Sequence, residues 1–300
     1  MSADGQEHLP PSDEQENPTA YRSHPRHFQG SQLVYPVLAR RSGGVSIGVN
    51  LSPAQRCNFN CIYCQVQRDA VPLESPAVNQ DRLEDELRQA VTEVTTGRLF
   101  RWPPFAATPV RLRRLNDIAL SGDGEPTAAA EFLPACRLCA AIKEELGLSA
   151  VKIILLTNAS LLHLPQVQEA LALLDRHNGQ VWAKLDAGTE AWFQRINQTD
   201  IPLARVLDNI RWVGRDRPIV IQSLFSRIDG AAPPAEEIAA YAARLADFEA
   251  AGVQLAAVQL YTIARPPRDP RVTALSSKEL HRIAALVAHQ VSTPLEVYPG

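Results

Sequence analysis

The sequence predicts an α/β protein that forms a barrel or partial barrel of parallel strands behind a disordered tail. Six short β-rich runs recur along the 300 residues, and a helical pattern follows each run. From the second run onward the strands begin roughly every 30 to 40 residues, which is about the length of a βαβ unit. Hydrophobic residues make up 45% and charged residues 21% of the chain, which are values of a globular protein.

The tail is predicted to cover residues 1–30 and the folded domain residues 31–300. The tail lacks the apolar centre of a signal peptide and the basic character of a transit peptide, and its composition is that of a disordered segment. It holds five acidic and two basic residues, which account for the net charge of -3. The folded part is therefore about neutral, which argues against a strongly basic nucleic-acid surface. The best local basic patch comprises Arg98, Arg101, Arg111, Arg113 and Arg114.

The strands and helices are predicted in order from the spacing of apolar residues. The strands cover residues 46–51, 117–121, 151–158, 181–187, 219–226 and 254–263. One helix is predicted over 81–99 from the spacing of Leu83, Leu87 and Val91, and Ser276 with Glu279 forms a capping-box pattern at another. Ligands of parallel α/β folds collect at the carboxyl ends of the strands, so functional residues are sought there.

Three cysteines follow the first predicted strand in a C-x3-C-x2-C spacing: Cys57, Cys61 and Cys64. Without a secretion signal, cysteines are more often kept for metals or catalysis than for disulfides. Iron-sulfur clusters normally take four thiolates, so a local triplet leaves one iron open to an outside ligand. Zinc is the alternative, but it needs a fourth ligand, and no histidine lies between His27 and His163.

Polar residues follow the later strands. Gly122, Gly124 and Glu125 come after the second predicted strand. Glycines there would let a ligand approach the backbone, and a carboxylate can pair with an ammonium group. The alternative is that this segment forms an ordinary turn without a ligand. Asn158 ends the third strand, and it either contacts a ligand or satisfies turn backbone groups. Alternation directs polar side chains of the fourth and fifth strands into the barrel, where they pair with each other or touch a ligand. These side chains are Lys184, Asp186 and Gln222.

The segment from Cys57 to Cys64, with Tyr63 before the third cysteine, resembles the signature of the radical S-adenosylmethionine (SAM) superfamily. Further segments resemble the branch of the wyosine synthases, which modify tRNA, and the resemblance covers nearly the whole chain beyond the tail. These segments are Arg40-Arg41-Ser42-Gly43, Ser121-Gly122-Asp123-Gly124-Glu125-Pro126-Thr127, Lys184-Leu185-Asp186-Ala187 and Arg265-Pro266-Pro267.

The resemblance implies a partial (β/α)6 TIM-like barrel of radical SAM type with two cofactors, a 4Fe-4S cluster on the three cysteines and SAM on the open iron. One electron from an external donor of flavodoxin or ferredoxin type would cleave SAM, and the resulting 5'-deoxyadenosyl radical would take a hydrogen atom from the substrate. An oxygen-sensitive cluster indicates a reducing cytoplasmic location. No apolar run approaches the ~18 residues of a membrane span, so no membrane partner is expected.

The resemblance also assigns roles to individual residues. Lys184 and Asp186 are the catalytic candidates, and a lysine in some wyosine synthases forms an imine with pyruvate. Tyr63 and Tyr261 would lie at the adenine, and Glu125 would receive the methionyl amine, although Asp123 stands where many relatives have a glycine. The implied cofactor-binding set is Tyr63, Gly122, Gly124, Glu125, Asn158, Gln222 and Tyr261.

The substrate stays open between a tRNA base, a small molecule and a peptide. Wyosine synthases carry further cysteines upstream of the triplet, whereas this sequence has none before Cys57. A function of a different class is an iron-sulfur protein that carries electrons or senses redox state without SAM chemistry. Cys136 and Cys139 lie in a helical pattern, which favours packing in the core over a redox pair. Arg40 and Arg41 precede the first predicted strand, where they would either bind a carboxylate or phosphate or form surface ion pairs.

Overall fold

The computed structural model describes residues 28–66 and 77–300, so most of the predicted tail lies outside the described residues. An eight-stranded sheet forms the body of this part, in the order β1-β2-β3-β4-β5-β6-β8-β10. The pairings from β2 to β10 are parallel, and β1 pairs with β2 antiparallel. A separate ribbon pairs β7 with β9. The strands are β1 Val34–Ala39, β2 Gly44–Asn50, β3 Leu115–Ser121, β4 Lys152–Thr157, β5 Gly179–Lys184, β6 Ile219–Leu224, β7 Ser226–Ile228, β8 Leu255–Tyr261, β9 Val272–Ala274 and β10 Leu295–Tyr298.

Helices connect the parallel strands, as the alternating pattern predicts. In the first of them Leu83, Leu87 and Val91 are buried, and the capping box of Ser276 and Glu279 is present in the last. The helices are α1 Gln80–Thr95, α2 Phe132–Glu145, α3 Pro165–Asp175, α4 Glu190–Asn197, α5 Leu203–Asp216, α6 Ala235–Ala250 and α7 Ser277–Ala288, with short 3-10 turns at Arg98–Arg101, Val110–Leu112 and Pro126–Ala128. No helix of the described residues is long and apolar enough to cross a membrane.

All six predicted strands are present, as β2, β3, β4, β5, β6 and β8. The sequence did not predict β1, which contains Pro36. Proline cannot donate a ladder hydrogen bond, so it is tolerated in a strand only at an edge, and β1 is an edge strand. The other edge strand, β10, has four residues, too few for an alternating pattern to be recognised.

The two faces of the sheet have different surroundings. The outer face packs against the helices in one large apolar core, which includes Cys136 and Cys139 of α2. Burial raises the pKa of the Cys139 thiol to about 12, so the core-packing interpretation of these cysteines agrees with their surroundings. The inner face carries a small apolar layer from five neighbouring strands: Ala119, Ile154, Trp182, Val220 and Ala257. The next inward positions toward the carboxyl ends are polar on β5, β6 and β8, at Lys184, Gln222 and Gln259.

The edges of the sheet approach each other, so the sheet is curled. The Arg40 guanidinium, in the turn between β1 and β2, donates a hydrogen bond to the carbonyl of Pro299, which follows β10. Arg40 and Arg41 therefore lie within the β1–β2 hairpin and at the seam between the two edge strands. The partial barrel that the sequence predicts is confirmed.

Candidate functional site

The three cysteines share a cavity with the carboxyl ends of β3, β4 and β5. The cavity encloses about 740 Å³, including the space open to solvent at its mouth. Ten of the twelve site residues indicated by the sequence line it: Cys57, Cys61, Tyr63, Cys64, Gly122, Gly124, Glu125, Asn158, Lys184 and Asp186. The other two lie elsewhere, because Gln222 is fully buried in the barrel and Tyr261 lines a second cavity.

Amide side chains hold the cysteine loop against the strand ends. Asn58 donates to the Ser160 hydroxyl at 2.7 Å and accepts from the Asn158 amide, also at 2.7 Å. On the other side, the backbone N–H groups of Asn60 and Ile62 donate to the carbonyls that end α4. Asn158 also accepts from the N–H of Ser160 at 3.0 Å, so it satisfies a turn backbone group, which is one of the two interpretations of the sequence. Its bond to Asn58 in addition positions the loop that carries the cysteines.

The glycines after β3 allow the loop to come close. A Cβ at Gly124 would collide with the carbonyl oxygen of Arg56, one residue before the first cysteine. Gly122 has a φ of 131°, a conformation that favours glycine. Asp123 is fixed by Asn50 at the end of β2, which accepts from its N–H at 3.1 Å and donates to its carboxylate at 2.6 Å. The segment is therefore a built contact between two strand ends and not an isolated turn.

Glu125 is buried, with 3% of its surface exposed. One carboxylate oxygen accepts from the hydroxyls of Thr127 at 2.5 Å and Thr157 at 2.6 Å, and the other accepts from the N–H of Asn158 at 2.7 Å. Burial raises the pKa of this carboxyl, against the opposing effect of these hydrogen bonds. A carboxylate has about four acceptor positions, so capacity on the second oxygen is left for a ligand in the cavity.

A buried polar cluster, the Tyr63 cluster, joins the cysteine loop to β5 and β8. The Tyr63 hydroxyl donates to the Asp186 carboxylate, and Lys184 lies 3.4 Å from the same carboxylate. Lys184 also donates to the Tyr261 hydroxyl at 2.6 Å, with its ammonium 4.9 Å from the Tyr63 ring centroid. Burial lowers the pKa of Lys184, but Asp186 and Tyr261 outweigh burial and the pKa is raised. Lys184 and Asp186 are therefore an ion pair at the wall of the cavity.

Asn197, at the end of α4, was not indicated by the sequence. Its amide donates to the Cys61 thiol at 3.3 Å and approaches the Tyr63 hydroxyl and Asp186 at 3.5 Å. Burial raises the pKa of the Cys61 thiol, and the Asn197 hydrogen bond opposes that rise. Asparagine at a helix end is too common a feature for the sequence alone to single it out.

The arrangement of the thiols bears on which metal group they fit. Within residues 28–66 and 77–300, no three His, Cys, Asp or Glu side chains are grouped closely enough to hold a single metal ion. A cubane cluster takes each thiolate on a different iron atom, and so needs a wider spread. Three thiols around one cavity, with an amide donor at Cys61, fit that requirement.

Gln222 belongs to a row of polar side chains across the barrel. Its amide donates to Gln259 at 2.7 Å, and Gln259 donates to Glu296 of β10 at 2.8 Å. The amide oxygen of Gln222 is buried without a hydrogen-bond partner among the described residues. Gln222 therefore lies in the buried polar interior of the barrel, in register with Lys184, and does not line the cavity.

Comparisons with known proteins agree with this architecture. No family model matches the chain. Over 166 residues the sequence is 32% identical to a UPF0026 protein of Helicobacter pylori, and this match covers 54% of the chain and 45% of that relative. The chain thus matches less than half of the length of this relative.

Two solved structures share the fold over most of the chain. A structure of TYW1 with a lysine-pyruvate adduct bound has a TM-score of 0.53 at 15% identity, over 89% of this chain and 86% of that one. Streptococcus suis SuiB bound to S-adenosylmethionine has a TM-score of 0.52 at 13% identity, over 82% of this chain and 45% of that one. The fold that the resemblance to the radical SAM superfamily implies is therefore shared with both of these structures.

Proposed function

We propose that the protein is a radical SAM enzyme. The observation that carries the proposal is the convergence of Cys57, Cys61 and Cys64 with the ends of three parallel strands around one cavity. The TYW1 and SuiB structures share this fold, and SuiB was solved with SAM bound. When bound, a 4Fe-4S cluster would supply the electron that cleaves the sulfonium bond of SAM.

The residues of the chain would bind and orient the cofactors. The three thiols would hold the cluster, and the free acceptor position of Glu125 would take the methionyl ammonium. Gly122 and Gly124 line the same cavity beside the thiols. Tyr63 offers a ring at the same cavity, and its hydroxyl is fixed by Asp186.

Lys184 would act as a fixed positive charge at the wall of the cavity. Its ammonium is held by Asp186 and Tyr261, so a carbonyl substrate would meet a protonated amine. An imine, of the kind that the lysine-pyruvate adduct of the TYW1 structure suggests, would first need that proton to leave. We therefore assign Lys184 and Asp186 the role of positioning the substrate and supplying a fixed charge. The electron would come from an external donor of flavodoxin or ferredoxin type.

The test is anaerobic reconstitution of the full chain with iron and sulfide, followed by dithionite and SAM. We expect 5'-deoxyadenosine to form, and we expect Cys57→Ala, Cys61→Ala and Cys64→Ala each to lose cluster absorbance and product. Cys136→Ala and Cys139→Ala are the matched controls, because both thiols lie in the core away from the cavity, and both variants should keep the cluster.

Three outcomes are distinguishable. Retention of the complete cluster in the Cys57, Cys61 and Cys64 variants would mean that the triplet does not hold it. A complete cluster that never yields 5'-deoxyadenosine would contradict the proposal and favour an electron-transfer or redox-sensing protein. Iron bound in a ratio of one per chain, without sulfide, would favour a mononuclear site.

A further inference from the structure

A second cavity lies at the seam where the two edge strands of the sheet meet. It encloses about 680 Å³, including the space open to solvent. The β1–β2 turn contributes Arg40 and Arg41, and the segment after β8 contributes Arg265. The described residues that line it include these three arginines and no Asp or Glu, so the cavity favours an anion.

Arg41 is the residue most directly prepared for a ligand. Its guanidinium lies over the Tyr261 ring, 4.6 Å from the centroid, which fixes the plane of the fork. One terminal nitrogen, Nη1, is buried and has no hydrogen-bond partner in the described chain. A buried donor without an acceptor is costly, and an oxyanion that accepts from the guanidinium would remove that cost.

The aromatic side chains connect this cavity to the first. Tyr63 lines both cavities, and Tyr261, which lines the second, accepts from Lys184, which lines the first. Tyr298 also lines the second cavity, and its hydroxyl donates to Glu296 at 2.8 Å. That carboxylate already accepts from Gln259. The Asp186 carboxylate, which accepts from the Tyr63 hydroxyl, is paired with Lys184, so both acidic groups that contact the lining tyrosines already have partners.

We propose that the second cavity binds a carboxylate or phosphate group of the substrate, with Arg41 as the principal contact and Arg265 beside it. The proposal rests on the function proposed above, because it places the anionic group of the substrate on one side of Tyr63 and the reacting part on the other, at the cysteines. The substrate is thereby assigned to the class of organic acids or phosphate esters.

The test uses the full chain without iron, sulfide or SAM, so that it stays independent of cofactor assembly. Inorganic phosphate and acetate are titrated separately by calorimetry, and the preferred anion distinguishes a phosphate ester from a carboxylic acid. We expect saturable binding of one of them, weakened at least about tenfold in Arg41→Gln because a charge-assisted hydrogen bond is lost. Arg41→Lys should retain part of the affinity, and Arg205→Gln, on the exposed side of α5, should bind like the unchanged protein.

A second measurement needs no variant and so does not depend on variant folding. Phenylglyoxal labelling of arginines in the unchanged protein, mapped by mass spectrometry, should be suppressed by the anion at Arg41 and Arg265 and unaffected at Arg205. Absence of saturable binding for both anions would overturn the proposal, and so would equal protection of all three arginines. Anion binding without formation of 5'-deoxyadenosine in the reconstituted enzyme would instead count against the proposed function and leave the anion site standing.

Discussion

Asp117 makes the stability of the protein depend on pH in a predictable direction. The side chain lies at the start of the barrel interior, with 1% of its surface exposed. One carboxylate oxygen accepts from the Ser46 hydroxyl, and the other is buried without a partner in the described chain. Burial raises the pKa of Asp117 from 3.8 to about 6, and the Ser46 hydrogen bond offsets only part of that rise.

The magnitude follows from the shift. A pKa raised by about two units corresponds to roughly 3 kcal/mol between the protonated and the ionised forms. Because the folded protein binds the proton more tightly than the unfolded chain, the stabilising contribution is complete below pH 3.8 and is lost as the pH rises through about 6. Roughly half of this loss of stabilising free energy occurs between pH 5 and pH 8.

The perturbation is Asp117→Asn, which keeps an oxygen for Ser46 and removes the titration. Urea unfolding of cluster-free protein, followed by tryptophan fluorescence, gives the free energy of unfolding at each pH. We expect the variant to gain about 1.5 kcal/mol relative to the unchanged protein between pH 5 and pH 8. Asp216→Asn, at the exposed end of α5, should show no such gain. A difference between Asp117→Asn and the unchanged protein that stays constant over this range would refute the reasoning.

Two further predictions concern the contacts around the cysteines. Gly124→Ala should prevent cluster assembly and lower the free energy of unfolding by about 2 kcal/mol or more, because the new methyl group meets the Arg56 carbonyl. Gly147 has a positive φ of 64° but open space around it, so Gly147→Ala should cost about 1 kcal/mol and keep the cluster. Iron analysis and urea unfolding would show both results. Tyr63→Phe and Asp186→Asn should be coupled by about 1 kcal/mol or more in a double-mutant cycle of urea unfolding, because they share a buried hydrogen bond. Additive effects would mean that the hydroxyl and the carboxylate do not stabilise each other.

The sequence was sufficient for six of the seven parallel strands in the described residues, because the signal of each of these six is local. A strand buried on both faces is a short apolar run between turns, and β4 and β6 have that form. The ribbon of β7 and β9 has three residues in each strand, which is below the length at which alternation can be recognised. Pro36 concealed β1, since an edge strand tolerates a residue that a central strand does not.

The sequence predicted the parts of the site that depend on the type and spacing of residues near each other in the chain. It did not predict the parts that depend on contacts between distant strands and helices. Cysteine spacing and glycines after a strand are visible in the chain, and they located the cavity. The link from Asn197 to Cys61 joins residues 136 positions apart, and no local pattern announces it. Gln222 was placed by alternation on the correct face, but its amide pairs with Gln259 inside the barrel and does not line the cavity.

The close approach of Gly124 to Arg56 has a consequence for how this sequence can change in evolution. The segment that leads into the first cysteine and the turn after β3 occupy adjoining space, with no room for a side chain between them. A relative that replaces this glycine must also reshape the residues ahead of its first cysteine. In an alignment of relatives, the length of that segment and the identity of the residue at this turn should therefore vary together.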